Sequence, residues 1–412
     1  MAGTGHIAII GGGAAGFFAA INAKAANPAA QVCVYEKSNK VLAKVKISGG
    51  GRCNVTHACF SPAQLAKHYP RGSKQLKKAF GSFNAQHTVE WFQQRGVALK
   101  TEADNRMFPS TDSSQTIIDC LWAEAERLGV EVRIQCGVQR IEALPNKGFQ
   151  LALSNGSQQA AAAVIVATGG SPKAAGFDWL AALGHSIELP VPSLFTFNLP
   201  GDAVRQLMGV VAPNATVRIQ GTKLSATGPL LVTHWGMSGP AVLRLSAFGA
   251  RVLAEKNYHF STLVSWVGET NEELLRSQLA DHIGHNGLRQ IGNKNPFELP
   301  RRLWEFLLQK IDLSPTTPWQ ELGKKNTNRL LNALLNDAYE ARGKTTFKEE
   351  FVTAGGIKLS EVDFKTMQSR VQAGLYFAGE VLDVDGVTGG FNFQAAWTTG
   401  WLAGRAAADA VK

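Results

Sequence analysis

A glycine-rich turn between a strand and a helix, near the start of the chain, constrains the fold more than any other feature. The apolar run Ile7–Ile10 leads into glycines at G-x-G-x-x-G spacing, namely Gly11, Gly13 and Gly16. In such a turn the first glycine permits a tight bend, the second lets the backbone approach a pyrophosphate, and the third lets the helix pack on the strand. A second apolar strand ends at Glu36, about 20 residues after Gly16, where a carboxylate accepts from a ribose hydroxyl. The sequence therefore predicts a dinucleotide-binding unit of the Rossmann type.

Length and composition bound the remaining choices. The chain has 412 residues, 45% of them hydrophobic, which is enough for two or three domains with a large core. The apolar C-terminal stretch is interrupted by Arg405 and Asp409, so we expect a buried helix and no membrane span. Five cysteines, odd in number and without C-x-x-C spacing, argue against a disulfide framework and a structural zinc site. With the first strand so close to Met1, we expect no signal peptide, no metal and a cytoplasmic location.

The net charge of +10 is high for an enzyme of small metabolites. Its basic residues cluster around positions 67–78, 289–302 and 324–329. Clustered Lys and Arg bind polyanions through counterion release, whereas dispersed charge serves solubility alone. Composition leaves both interpretations open, so the partner is either a small-molecule substrate or a nucleic acid.

The order of elements predicts a discontinuous α/β domain. Strands and helices alternate over the first 190 residues, and a short buried strand with a final helix returns near the C-terminus. Between them lie a β-rich segment punctuated by Pro and Gly and a segment with helical apolar stripes. We predict a dinucleotide-binding domain over 1–190 and 350–412, an inserted β-rich domain over 191–270, and a helical insertion over 271–349.

Two further glycine-rich segments predict contacts to one flavin cofactor. In the first, Ser48-Gly-Gly-Gly-Arg-Cys-Asn54, three glycines allow close backbone approach and Arg52 offsets phosphate charge. In the second, Gly379–Gln394, Glu380 ends a strand and suits a polyol such as a ribityl chain. The helix that starts after Gly389-Gly390 would stabilise negative charge on a reduced flavin. Since the chain has one dinucleotide fingerprint, NAD(P)H would dock only transiently as electron donor.

Several sequence blocks resemble those of a bacterial FAD-dependent flavoprotein family. The blocks are S-G-G-G-R-C-N-V-T, N-R-M-F-P-S, T-H-W-G-M-S-G-P-A and G-E-V-L-D-V-D-G-V-T-G-G-F-N-F-Q. Members of that family include aminoacetone oxidases, bile-acid-forming enoate reductases and ribosomal-RNA dihydrouridine synthases. The resemblance implies a glutathione-reductase-like FAD domain with an inserted β-barrel-like and helical domain. The segment Lys173–Trp179 departs from the further glycine-rich run of many members, so no one member's substrate is carried over.

The resemblance also implies which residues contact a tightly bound FAD. They are Gly11, Gly13, Ala14, Ala15, Gly16, Glu36, Lys37, Ser48, Gly49, Gly50, Arg52, Cys53, Asn54, Val138, Ala167, Gly169, Gly379, Glu380, Gly390, Phe391 and Asn392.

Two residues are candidates for catalysis. Cys53 lies in the cofactor loop and could donate a proton or contact the flavin, although a small buried packing residue is an equal alternative. His234, within the block T-H-W-G-M-S-G-P-A, could act as general acid or orient a substrate. A hydrogen-bonded structural histidine at a domain junction is the alternative for His234.

Together these features predict an FAD-dependent oxidoreductase. We expect NAD(P)H-driven reduction of an activated C=C bond by hydride transfer from flavin N5. One alternative narrows the substrate to a uridine of ribosomal RNA, whose C5=C6 bond is an activated enone. Another is a flavin oxidase of a small amine or ketone, and a third is a flavin-carrying scaffold without turnover.

Overall fold

The computed structural model describes residues 5–145, 147–345 and 352–412, and these fall into two compact units. The first unit joins the chain up to Ser193 with the segment from residue 352 onward, and the second begins at Leu194. The predicted boundary between 349 and 350 lies outside the described residues.

A parallel sheet forms the centre of the first unit, as the α/β pattern predicted. Its parallel strands are β1 (His6–Ile10), β2 (Gln31–Tyr35), β3 (Glu131–Arg133), β4 (Ala163–Val166) and β5 (Leu375–Phe377), in the spatial order β5-β4-β1-β2-β3. The short antiparallel strands Gln368–Ser369 and Val362–Asp363 extend the β5 edge. Every residue of β1 is buried, as expected of a strand covered on both faces.

Smaller sheets and eight helices complete the first unit among its described residues. The strands are Thr56–His57, Leu99–Thr101 and Arg106–Pro109; Val138–Ala143, Phe149–Leu153 and Gln158–Ala161; and the pair Ile187–Ser193 and Val352–Ile357. The helices are α1 (Ala14–Ala26), α2 (Ala43–Gly51), α3 (Pro62–Ala66), α4 (Ser73–Phe80), α5 (Ala85–Gln93), α6 (Ser114–Leu128), α7 (Asp178–Ala181) and α8 (Phe391–Ala410), with 3-10 turns at Ala174–Phe177, Leu359–Glu361 and Gly379–Val381.

Helices α1 and α8 pack together through glycines of α8. A Cβ at Gly400 would lie 2.7 Å from the carbonyl oxygen of Ala15, and one at Gly404 would lie 2.3 Å from that of Ala19. Because real Cβ atoms do not approach oxygen so closely, glycine at both positions sets the separation of the two helices. The C-terminal helix thereby fixes the start of α1.

The second unit combines an antiparallel sheet with helices around one hydrophobic core. The strands, in spatial order, are Asp337–Arg342, His259–Ser265, Val211–Ile219, Ser225–Val232, Gly236–Ser238, Thr196–Asn198 and Lys344–Thr345. The helices are Pro240–Glu255, Glu272–Asn286, Arg301–Lys310 and Gly323–Leu335, with 3-10 turns at Ala203–Leu207 and Trp319–Glu321. Side chains from the strands and from all four helices share that core.

Two segments differ from their predicted secondary structure. Asp337–Arg342, within the stretch predicted as helical, is a strand paired with His259–Ser265, and its side chains alternate between buried and exposed. Helical stripes in the preceding residues concealed this short alternation. The predicted loop at 46–54 is partly helical, because α2 runs to Gly51 and is broken at Ser48–Gly50.

None of the described helices combines the length and apolar character needed to cross a membrane.

Candidate functional site

The three glycines of the turn after β1 differ in what a Cβ would contact at each position. Gly11 has φ +110°, and a Cβ there would lie 2.4 Å from the carbonyl oxygen of Ala167. A Cβ at Gly16 would lie 1.9 Å from the carbonyl oxygen of Gly11. Gly13, by contrast, has φ −87°, and a Cβ there would meet no atom within 4 Å.

Neither the backbone nor packing within this chain requires glycine at position 13. The open space above it fits a group that approaches the backbone closely. Helix α1 starts there with Gly13 as N-cap and no side-chain cap, so the amides of its first turn, at Ala14 and Ala15, remain available to an anion. The turn therefore fits the pyrophosphate of a dinucleotide.

Glu36 follows β2 and folds back onto the glycine turn. Its Oε2 accepts from the amide of Gly12 at 2.8 Å, and its Oε1 accepts from that of Ser38 at 2.8 Å. Two backbone bonds fix the carboxylate and leave it lone pairs for a hydroxyl. It is therefore held beside the glycine turn in the place predicted for a ribose acceptor.

The glycine-rich segment at 48–54 forms a left-handed backbone turn. Gly49 and Gly50 have φ +57° and +69°, and a Cβ at Gly50 or Gly51 would meet nothing within 4 Å. Arg52 donates to Glu102 at 2.6 Å, and its guanidinium lies 4.0 Å from the centre of the Phe108 ring. The carboxylate of Glu102 partly neutralises the positive charge of Arg52, which we predicted would face a phosphate.

Asn54 joins this segment to the C-terminal glycine loop. In the amide orientation that satisfies both partners, Asn54 accepts from the amide of Gly390 at 2.9 Å and donates to the Thr56 carbonyl at 3.0 Å. Trp397 of α8 donates through Nε1 to the carbonyl of Val55 at 2.9 Å. Two segments more than 300 residues apart, predicted to serve one cofactor, thus lie together.

Gly379 and Glu380 lie beside the start of α1. A Cβ at Gly379, which has φ +75°, would lie 2.9 Å from the Cβ of Ala15. The Glu380 carboxylate forms an ion pair with Lys44 Nζ at 2.7 Å and has 18% of its side chain exposed. Glu380 lies in the 3-10 turn Gly379–Val381 and not at the predicted strand end, because the strand stops at Phe377. This turn is next to the glycine turn after β1, and its contact to a ribityl chain stays a prediction.

The remaining predicted residues surround the same region or the edge of the sheet. Lys37 is packed against Gly137, just before Val138. Ala167 donates to the carbonyl of Ile10 at 2.8 Å. Gly169 has φ +75° and open space over its Cα.

Asn392 folds the C-terminal loop onto itself. It accepts from the amide of Gly386 at 2.7 Å and donates to the carbonyl of that residue at 3.0 Å. Its side chain is therefore occupied, and it is the backbone amides at the start of α8 that can serve a ligand.

A buried ion pair anchors the C-terminal glycine loop. Arg71 donates to both carboxylate oxygens of Asp385, and Ser193 Oγ donates to Asp385 Oδ2 at 2.6 Å. The Asp385 side chain is fully buried, and burial raises the pKa of its carboxyl against the opposing charge of Arg71. Removing the arginine alone would leave a buried carboxylate without its counter-charge, which is strongly unfavourable.

Cys53 has no solvent-exposed surface, and its backbone is left-handed with φ +62°. Burial raises the pKa of its thiol to about 12. The group is therefore a neutral thiol at physiological pH, which excludes a thiolate and leaves hydrogen bonding and packing.

Two histidines that the sequence reasoning missed stack on Phe391, the first residue of α8. The rings of His57 and His68 lie 4.6 Å and 4.2 Å from the Phe391 ring centre. The Nδ1 atom of His57 is buried and has no hydrogen-bond partner among the described residues. The sequence signal that could have identified His57 is its position directly after the block S-G-G-G-R-C-N-V-T, although an isolated histidine is seldom distinctive.

His234 belongs to the second unit and is exposed. Its ring packs edge-on against Trp235, and its carbonyl accepts from Arg205 Nε at 2.6 Å. These contacts order the T-H-W-G-M-S-G turn, so the proposed catalytic role of His234 stays a prediction.

Among the described residues, no group of three or more His, Cys, Asp or Glu side chains is arranged to hold a metal ion.

Comparison with known proteins identifies relatives over nearly the whole chain. Residues 5–406 match the family model described as the HI0933-like protein Rossmann domain. A 3-dehydro-bile acid delta(4,6)-reductase of Clostridium scindens is 30% identical over 414 residues, covering 98% of this chain and 99% of that protein. A ribosomal RNA dihydrouridine synthase of Escherichia coli K12 is 29% identical over 402 residues, covering 95% of each.

Solved structures share the fold at low identity. A 3-ketosteroid-Δ4-(5α)-dehydrogenase of Rhodococcus jostii RHA1 superposes with a TM-score of 0.52 at 14% identity, covering 98% of this chain and 96% of that one. A 3-ketosteroid Δ1-dehydrogenase of Sterolibacterium denitrificans gives a TM-score of 0.50 at 13% identity, covering 98% and 100%. At such identities the likeness is one of fold.

Proposed function

The chain belongs to the HI0933-like family of FAD-binding Rossmann proteins, and from that premise we propose that it is an NAD(P)H-driven reductase of activated carbon–carbon double bonds. It binds FAD and is an oxidoreductase, as its relatives are. One observation supports the proposal that the reaction is the reduction of a C=C bond. The names of the two relatives, one a bile acid reductase and the other a dihydrouridine synthase, both describe adding hydrogen across a C=C bond. That shared chemistry, on very different substrates, supports reduction as the reaction of this chain.

The residues described above divide the binding of FAD between them. The amides at the start of α1, over the open backbone of Gly13, would hold the pyrophosphate, and Glu36 would accept from the ribose. Glu380 would accept from the ribityl chain, and the start of α8 would face the flavin ring. FAD, when bound, supplies two-electron transfer between a donor and an acceptor.

Saturating a C=C bond also requires a proton, and we assign its delivery to His57. The buried, unpartnered Nδ1 atom lies on a ring that stacks against the first residue of α8. Burial lowers the pKa of His57, against the opposing effect of Asp104. The pH range in which the proton-donating form becomes populated therefore lies below that of an unperturbed histidine.

The reduction step should accordingly become faster as the pH falls through that range, and His57→Gln should flatten the response. Anaerobic rates of flavin reoxidation by an enone, measured between pH 5 and 8, test the assignment. Cys53→Ser serves as the control, because a thiol with a pKa of about 12 does not titrate in this window. An unchanged pH profile in His57→Gln would remove His57 from proton delivery.

The donor is tested in the reductive half-reaction. With one dinucleotide fingerprint in the chain, NADH or NADPH must meet the flavin without a second domain of its own. We expect anaerobic mixing with one of the two to bleach the flavin absorbance in stopped flow. A protein that either donor leaves oxidised would not be driven by NAD(P)H.

A uridine of ribosomal RNA is the second candidate substrate. The net charge of +10 and the dihydrouridine synthase among the relatives favour it. The base would leave its stack to reach a flavin, at a cost of a few kcal/mol. Dihydrouridine content of ribosomal RNA, compared between parent and deletion strains, should fall on deletion; equal content would favour a small enone instead.

The five cysteines are unpaired thiols, which supports a reducing, cytoplasmic location.

A further inference from the structure

A polar cavity in the second unit is lined by residues to which the proposed function gives no role. Its volume is about 350 Å³, and its lining includes His282, Asn286, Arg289, Lys294 and Trp319. His282 and Asn286 are one turn apart on helix Glu272–Asn286, so both face the same side of it. The two basic residues follow in the segment after the helix.

Backbone hydrogen bonds hold that segment in place. The amide of Trp319 donates to the carbonyl of Arg289 at 3.0 Å, and that of Gln320 donates to Gly287 at 3.0 Å. Ile291 donates to Thr317 at 2.9 Å. The wall that carries the basic residues is thus tied to the 317–320 segment, so the cavity is built into the fold.

The hydrogen bonds of His282 leave one donor unused. Its Nδ1 atom lies 3.4 Å from Asn286 Nδ2, and from this contact we assign the tautomer in which Nδ1 accepts and Nε2 carries the proton. Nε2 is buried and has no partner among the described residues. A buried N–H without an acceptor is costly, so this atom calls for an acceptor that the chain does not supply.

The charge around this donor is uniformly positive. Burial lowers the pKa of His282, and the charges of Lys294, Arg289 and His285 lower it further, without a carboxylate opposing them. Within the described part of the chain, neither Arg289 nor Lys294 forms an ion pair. Other basic residues of the same unit do: Arg276 pairs with Glu272, Arg301 with Glu305, Lys310 with Asp337 and Arg329 with Asp312.

We propose that this cavity binds a phosphate group, held by His282 Nε2–H, the Arg289 guanidinium and the Lys294 ammonium. Two unneutralised cations match the charge of a phosphate monoester, which is about −1.5 to −2 at pH 7. A cavity of about 350 Å³ also has room for the moiety that carries the phosphate, beside the ring of Trp319. The carrier is either a small phosphorylated molecule or an RNA backbone. This inference does not depend on the flavin chemistry.

Binding to the FAD-loaded protein tests the proposal with three probes: inorganic phosphate, AMP and a fluorescent single-stranded 12-mer RNA. Arg289→Gln/Lys294→Gln should weaken binding of phosphate and AMP at least tenfold. The matched control is Arg276→Gln/Arg301→Gln, which removes the same net charge from paired positions and should change binding less than twofold. His282→Phe keeps the ring against Trp319 but removes the N–H, so it should weaken binding without a change of charge.

The RNA-binding measurement identifies which kind of molecule carries the phosphate. If the pocket variant weakens RNA binding more than the control does, and lowers the slope of log K against log salt by about 0.7, as loss of one phosphate contact on a single strand predicts, the phosphate is that of a nucleic-acid backbone. If it weakens only phosphate and AMP, the ligand is a small phosphorylated molecule. Equal affinities of the pocket variant and the control for all three probes would overturn the proposal.

Discussion

At position 13 the fold itself does not require glycine, whereas a bound pyrophosphate would. A Cβ at this position meets no protein atom within 4 Å, whereas one at Gly16 would lie 1.9 Å from the Gly11 carbonyl oxygen. Gly13→Ala should therefore leave the melting temperature of the apoprotein unchanged or slightly raised, since alanine loses less entropy on folding. The affinity for FAD should fall at least tenfold, about 1.4 kcal/mol, because the methyl group occupies the space for the pyrophosphate.

Gly16→Ala is the control for that prediction, because it should destabilise the apoprotein itself. Calorimetry of both apoproteins, with FAD titrations followed by fluorescence, separates the two effects. An unaltered FAD affinity in a stable Gly13→Ala protein would mean that the pyrophosphate does not lie over this turn.

Glu380 gives a second prediction at the scale of a single residue. A carboxylate that accepts from a hydroxyl contributes roughly 1.5–3 kcal/mol, so Glu380→Ala should weaken FAD binding by about one to two orders of magnitude. Lys44→Ala breaks the same ion pair but keeps the carboxylate, and exposed ion pairs contribute little. Equal losses in the two variants would show that the ion pair, and not a bond to the ribityl chain, is what matters; the dissociation constants are the readout.

At the scale of elements, the contact between α1 and α8 fixes the start of α1, which follows the glycine turn after β1. A Cβ at Gly404 would lie 2.3 Å from a carbonyl oxygen of α1, so Gly404→Ala should force the helices apart and lower the free energy of unfolding by about 1–3 kcal/mol. Gly284→Ala, in a helix of the second unit, meets nothing within 4 Å and should be neutral or stabilising. Urea unfolding of both variants checks the pair, and equal midpoints would contradict this view of the helix contact.

The sequence was sufficient to predict the elements whose patterns are local. The strand–turn–helix of the dinucleotide fingerprint has its signal within a few residues, and the structure confirms the fold class. Asp337–Arg342 was missed because its alternation covers only six residues and adjoins a long helical pattern. The stacking of His57 and His68 on Phe391 was missed, because neither histidine belongs to a sequence pattern that marks it as part of the site.

At the scale of the whole molecule, an FAD-dependent oxidoreductase can act as a reductase or as an oxidase. The choice depends on which acceptor takes electrons from the reduced enzyme. The proposed function is that of a reductase with an unsaturated organic acceptor.

The most direct measurement of that choice compares acceptors on the same reduced enzyme. The protein is reduced anaerobically with NADH or NADPH, then mixed in stopped flow with a 3-keto-4-ene steroid, with uridine-containing RNA or with dissolved oxygen. Reductase function predicts that one of the two unsaturated substrates restores the flavin absorbance faster than oxygen does, with the saturated product found by mass spectrometry. Rapid reoxidation by oxygen, with neither unsaturated substrate consumed, would contradict the account and make the protein an oxidase.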